Sequence, residues 1–185
     1  MSLTVKELAI PGIKIIKTMK FEDSRGFFSE TYSRKTFNDA GVNLEFVQDN
    51  HALSKTAGTL RGLHYQGHPF AQDKLVRVVS GRILDVVIDI RRSSPTFGQW
   101  LSVEISADEW NQILVPIGFA HGLCTLEPNT QVLYKVTNYY SAAHDFGIRW
   151  NDPDLSIRWP FSEEQVELSE KDKKQPLFKD VIHWF

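Results

Sequence analysis

A chain of 185 residues with 42% hydrophobic content suits one domain built around one good-sized core. Its formal charge of −2 gives no overall attraction to nucleic acid or anionic lipid, although a local cluster of Arg and Lys can still hold a phosphate. Cys124 is the only cysteine, which excludes an intrachain disulfide and fits a reducing cytoplasm.

From the N-terminus, Met1 to Lys20 is broken by Lys and Glu too often to hold a signal-peptide core. Short strands are expected at Ile13–Met19 and Gly26–Tyr32. A short helix follows over Ser33–Ala40, capped by Ser33 and ended by Gly41. Further strands are expected at Thr59–Gln66, Lys74–Val79, Arg82–Ile90, Trp100–Ile105, Gln112–Pro116 and Gln131–Thr137. Within Arg82–Ile90, Leu84, Val86, Ile88 and Ile90 fall on one face, and Ile83, Asp85, Val87 and Asp89 on the other. The most apolar stretch, Leu75 to Ile90, contains Arg77, Arg82, Asp85 and Asp89, so it does not read as a membrane span. Asp23-Ser24-Arg25-Gly26, Ser80-Gly81, Ser94-Pro95 and Glu127-Pro128-Asn129 supply turns. Ser162–Leu168 reads as a second short helix, with Ser162 and Gln165 as a capping box. The charged tail Glu163–Lys174 leads to apolar Val181–Phe185, which is expected to dock. Many short strands, few helices, and no repeat or linker predict a single all-β domain over residues 1–185, a two-sheet sandwich or small barrel.

Two spacings resemble the metal-binding frames of cupin jelly rolls. Gly58 is followed after five residues by His64, and Lys74 after six by Gly81. Pro116, Gly118 and His121 supply the second frame. His64 and His121 stand at ligand positions, but Gln66 replaces a second His and Lys74 replaces the Glu. An ammonium has no lone pair and repels a divalent cation, and two imidazoles plus an amide make a poor Zn or Fe site. The expectation is a cupin cavity that has lost its metal. A lone His is most often a hydrogen-bonded core residue; two His, a Lys and several Arg falling at frame positions favour a site.

Further motifs resemble the dTDP-4-dehydrorhamnose 3,5-epimerase family. They are Asp23-Ser24-Arg25-Gly26-Phe27-Phe28, Gln48-Asp49-Asn50, Gly58 to Gln66, Lys74 to Val78, Pro116 to Gly122, Leu133-Tyr134-Lys135-Val136-Thr137, Trp150 to Pro153 and Leu168 to Asp172. They occur in order along nearly the whole chain. Ala52 departs from a Ser frequent in the family, and Asp145 from a more usual Glu. The resemblance implies epimerisation at C3 and C5 of a dTDP-4-keto-6-deoxysugar, without a metal or other cofactor, by a homodimer with exchanged N-terminal strands.

Epimerisation beside a ketone needs a base, an enolate stabiliser and an acid on the opposite face. His64 is the candidate base, because an unperturbed imidazole titrates near neutrality. Asp172 is its orienting partner on the strength of the resemblance alone; by itself it reads as a solvated charge in a charged tail. Lys74 fits the enolate stabiliser, a fixed cation where a Lewis acid once stood. Tyr134 is the candidate acid. His121 is assigned to substrate binding. Arg25, Glu30, Gln48, Asp49, Asn50 and Arg61 resemble nucleotide-sugar contacts, with Arg suited to a pyrophosphate. Tyr140 is placed against the thymine ring, and Asp145 and Lys171 as further nucleotide contacts. The alternatives are a single-site epimerase or ketoisomerase on the same scaffold, a metal cupin such as a dioxygenase, and a non-catalytic sugar-binding cupin.

Overall fold

The computed structural model describes residues 3–185, so Met1 and Ser2 lie outside the described residues. Strands β1 (Leu3–Glu7), β2 (Lys14–Thr18), β3 (Phe21–Asp23) and β4 (Gly26–Phe28) precede helix α1 (Arg34–Asp39). Then come β5 (Gln48–Ser54), β6 (Leu60–Gln66), β7 (Lys74–Ser80), β8 (Arg82–Asp89) and β9 (Trp100–Ser106). The last four are β10 (Asn111–Val115), β11 (Phe119–Thr125), β12 (Thr130–Val136) and β13 (Asp145–Gly147). One sheet has the order β1-β2-β10-β7-β12-β5 and the other β13-β6-β11-β8-β9; β3 and β4 form a separate hairpin. The pairings within these sheets are antiparallel. The expected all-β, cupin-like two-sheet sandwich is therefore the fold.

The alternation in β8 explains how the sheets stack. Ile83 and Val87 join Val76 and Val78 of β7, Ile113 and Val115 of β10, and Val132 of β12 in the core between the sheets. Val86 and Ile88 face the other way and are covered by Leu155, Val181, Trp184 and Phe185. The apolar C-terminus thus docks as expected, with the Arg92 N–H donating to the Phe185 carbonyl at 2.8 Å. The outer face of the first sheet, through Ile16, Leu75 and Leu114, is covered by Phe37 of α1 and by Val42. Ser33 caps α1, its Oγ accepting from the Thr36 N–H at 3.4 Å.

Several expectations change. Residues 119–125 form a strand that alternation could not reveal, because all seven are buried and both faces are covered. Residues 48–54 form a polar edge strand, and 3–7 another. The Gly26–Tyr32 strand is shorter, ending at Phe28. Ser162–Leu168 is not a helix. Gln165 Oε1 does accept from the Ser162 N–H at 3.0 Å. However, Glu167 accepts from the Leu60 N–H and donates to the Gly58 carbonyl, both at 2.9 Å. Long-range backbone bonding therefore overrides the local helix signal. β2 pairs with β10 of the same chain.

Gly62 is needed where β6 and β11 approach. Its φ is +126°, and a Cβ there would lie 2.6 Å from Gly122 Cα and 2.8 Å from the His121 carbonyl oxygen. The register between β6 and β11 shifts at this place. Gly62→Ala is expected to cost about 2–4 kcal/mol, lowering Tm on the order of 5–10 °C. Gly26→Ala, also at positive φ but with nothing within 4 Å, is expected to cost about 1 kcal/mol. Thermal unfolding of the two variants checks this; equal losses would contradict the close-approach argument.

Candidate active site

Between the sheets lies a cavity of about 510 Å³. Its walls come from elements far apart in sequence. β6 supplies Arg61 and His64, β11 supplies His121, and the facing sheet supplies Lys74 from β7, Tyr134 from β12 and Ala52 from β5. β13 adds Asp145, and the C-terminal segment adds Glu167, Ser169, Lys171 and Asp172. The period of two puts His64 and Tyr134 on the inner faces of opposing sheets. The cavity therefore has an imidazole on one wall and a phenol on the other.

His64 is tied to the C-terminal segment. Its Nε2 lies 2.5 Å from Asp172 Oδ1, leaving Nδ1 as the nitrogen free to act on a ligand. Ser169 Oγ donates to Asp172 Oδ2 at 2.8 Å and accepts from the Asp172 N–H at 3.1 Å. Burial pushes the Asp172 carboxyl up. The hydrogen bond and charge of His64, with hydrogen bonds from Ser169 and the Gly62 N–H, outweigh it and hold Asp172 below the usual carboxylate range. Asp172 is thus not the solvated tail charge that sequence alone suggests; its side chain is only 4% exposed.

Lys74 projects into the cavity with its Nζ 3.5 Å from the His64 carbonyl oxygen. Loss of hydration lowers its pKa from 10.5 to about 8, opposed by the fields of Asp145 and Asp85 and reinforced by Lys171. Burial raises the Tyr134 phenol above its ordinary value, with Arg61 pulling down and Asp145 pushing up. Tyr134 therefore keeps its proton at neutral pH.

Gln66 does not face a ligand. Its amide donates to the Phe70 and Tyr139 carbonyls at 2.7 and 3.1 Å, and its Oε1 accepts from the Ser141 N–H at 2.7 Å. His121 Nε2 is engaged by Asp85 at 2.8 Å. Each cavity histidine is therefore bound to its own carboxylate. Among the described residues, no group of three or more His, Cys, Asp or Glu is arranged to hold a metal.

Eight of the expected site residues line this cavity: Arg61, His64, Lys74, His121, Tyr134, Asp145, Lys171 and Asp172. Asp145 accepts from Lys171 Nζ and, at 3.0 Å, from the Tyr140 hydroxyl, so Tyr140 stands at the rim, 61% exposed. Gln48 and Asn50 lie beyond Ala52 on the same face of β5, bonded to each other at 2.9 Å. Asp49 points to the opposite face and pairs with Lys135 at 2.7 Å. Glu30 accepts from the Thr36 hydroxyl at 3.1 Å. Arg25 sits in the β3–β4 hairpin, paired with Asp23 at 2.6 Å and 87% exposed. Neither reaches the cavity of its own chain. Sequence reasoning missed Asp85, Ser169 and Glu167. Asp85 carried a signal, a carboxylate between Ile83 and Val87 on the inner face of its strand, and Ser169 lay within the Leu168 to Asp172 motif.

The sequence family described as dTDP-4-dehydrorhamnose 3,5-epimerase matches residues 7–180. A Shigella flexneri protein of that description is 46% identical over 98% of this chain and 99% of its own length. The crystal structure of the Bacillus anthracis enzyme, with TDP and PPi bound, superposes with a TM-score of 0.92 at 49% identity, covering 95% of this chain and 99% of that one. The Legionella pneumophila enzyme, in complex with dTDP-4-keto-L-rhamnose, gives 0.92 at 41% identity, covering 97% and 95%. A matching family over nearly the whole chain and a shared fold at this identity lead to one conclusion: the chain belongs to the dTDP-4-dehydrorhamnose 3,5-epimerase family.

Proposed function

We propose that this protein epimerises C3 and C5 of dTDP-4-keto-6-deoxy-D-glucose to give dTDP-4-keto-L-rhamnose. The observation that carries the reading is an imidazole and a phenol facing one cavity from opposite sheets, with an ammonium beside them. The ligands of the Bacillus and Legionella relatives support the nucleotide-sugar substrate.

His64 removes the proton from the carbon beside the ketone through Nδ1, and Asp172 on Nε2 stabilises the imidazolium. Charge moves to the C4 oxygen, where the Lys74 ammonium offsets it in a water-poor cavity. Tyr134 then gives its proton to the carbon from the other face, inverting it. His64 returns its proton to solvent and Tyr134 regains one, so the site is reset for the second carbon. Only protons move, so no electron carrier is required.

His121 contacts the sugar, and Arg61, Gln48, Asn50, Tyr140, Asp145 and Lys171 hold the nucleotide part. Arg25 and Glu30 take part through a homodimer. The β3–β4 hairpin exposes Phe21, Phe27 and Phe28 at 45, 55 and 66%, an apolar surface that supports docking on a second copy. Arg25 on that hairpin then reaches the partner's cavity, and Asp49 takes part through its pairing with Lys135 on the outer face of the first sheet. The chain acts as one jelly-roll domain in the cytoplasm, without membrane or nucleic acid; no helix of the described residues is long and apolar enough to cross a membrane.

The reaction run in heavy water separates this reading from its nearest alternative. Deuterium at both C3 and C5 of the product is expected, whereas entry at one carbon alone would point to a single-site epimerase. His64→Ala is expected to lower turnover a hundredfold or more. Full turnover in that variant would remove His64 from the mechanism and favour a sugar-binding cupin. Activity that disappears on chelation would instead favour a metal cupin.

The pH profile of kcat/KM follows from Lys74. Its ammonium is the active form, so activity is expected to fall as pH rises through about 8, well below the ordinary lysine range. Tyr134, raised rather than lowered, titrates above that limb. A profile flat to pH 10 would contradict the assignment of Lys74.

A further inference from the structure

The wall that carries His64 holds a second histidine–carboxylate pair, on the neighbouring strands β11 and β8. His121 stands directly across from His64 in the strand register. Its Nε2 is 2.8 Å from Asp85 Oδ2. Asp85 is completely buried, and its Oδ1 meets no hydrogen-bond donor. Asp172 differs: both of its oxygens are bonded, to His64 and to Ser169. A buried carboxylate oxygen without a donor is costly, and its charge must be balanced nearby. The cation that faces it across the sandwich is Lys74.

Lys74 in turn has no carboxylate within ion-pair distance among the described residues, its Nζ touching only the His64 carbonyl. Two carboxylates act on it through space. Asp145 on β13 is already engaged by Lys171 and Tyr140. Asp85 on β8 shares its charge only with His121. Lys171 opposes the ammonium. The other ionisable groups lining the cavity are the imidazoles of β6 and β11, the Tyr134 phenol of β12, Arg61, which donates to the Leu53 carbonyl, Glu167, which accepts from the Thr56 hydroxyl, and Asp172, which is committed to His64.

We propose that Asp85 is a positioning residue of the epimerase. It fixes His121 by Nε2, so that Nδ1 faces the sugar, and it supplies the counter-charge that keeps Lys74 an ammonium during the reaction. Asp85 itself does not touch the substrate. This role rests on the epimerase reading given above and goes one step behind it.

The test is the position of the alkaline limb of kcat/KM in three variants. Lys74→Arg is expected to abolish the limb near pH 8, which assigns it. Asp85→Asn keeps the side-chain shape but removes the charge, so the limb is expected to move down by about one pH unit. His121→Ala leaves both oxygens of the buried Asp85 without a donor, which disfavours its charged form, so its field on Lys74 weakens and the limb is again expected to move down. A purely structural role for Asp85 would lower the height of the profile and leave its position alone. A limb that survives Lys74→Arg overturns the proposal. So does a limb that stays in place in Asp85→Asn, or, should that variant fail to fold, one that does not fall in His121→Ala. Deuterium entry at both carbons of the wild-type product tests the underlying reaction separately. Two-site entry with an unmoved limb would refute the role of Asp85 alone.

Discussion

The hydrogen bond between His64 and Asp172 joins residues 108 positions apart, and the shape of the cavity depends on it. One partner sits on the second strand of its sheet, and the other on a C-terminal segment with almost no regular structure. That segment is held by backbone bonds from Glu167 to the edge of β6, by Ser169 around the carboxylate, and by the apolar terminus packed over β8. Docking thus does two things at once. It covers the outer face of the second sheet, and it gives His64 an anion on one nitrogen while the other is left free. Gly62 makes this possible, because only a residue without a side chain lets β6 and β11 approach so closely beside His64.

Lys74 puts an ammonium at the frame position where a cupin metal site would carry a carboxylate. A divalent cation would want several neutral or anionic ligands pointing at one spot. Here both imidazoles are bound to separate carboxylates, the Gln66 amide is committed to backbone groups, and a lysine occupies the remaining corner. A lysine in such a place titrates near 8 rather than above 10, so it stays charged at neutral pH by a modest margin. The margin is set first by burial and then by the fields of Asp145, Asp85 and Lys171, which is why groups that never meet the sugar still matter.

Much of this was legible in the sequence because spacing carries over to geometry in strands. The frames around Gly58–His64 and Pro116–His121 pointed both histidines to one cavity, and the Lys74–Gly81 spacing did so for Lys74; Tyr134 came from the resemblance of Leu133 to Thr137, and it stands on the facing wall of that cavity. β11 was hidden because a strand covered on both sides has no alternation to read. The Ser162–Leu168 helix failed because backbone groups of Glu167 found partners on β6, a competition no local pattern records. Asp85 was visible as a carboxylate within an apolar strand, yet its pairing with His121 needed the register of β8 on β11. Arg25 and Glu30 lie outside their own cavity, since a single chain does not encode where a hairpin meets a second copy.

The central claim is that abstraction and return of the proton occur from opposite walls, and partial reactions of Tyr134→Phe in heavy water test it most directly. Without the phenol, His64 should still remove the proton and hand back deuterium from the same side. The recovered substrate should therefore gain deuterium with its configuration retained, while inverted product almost vanishes. Substrate recovered free of deuterium, or inversion at the wild-type rate, would contradict an imidazole and a phenol acting across the ring.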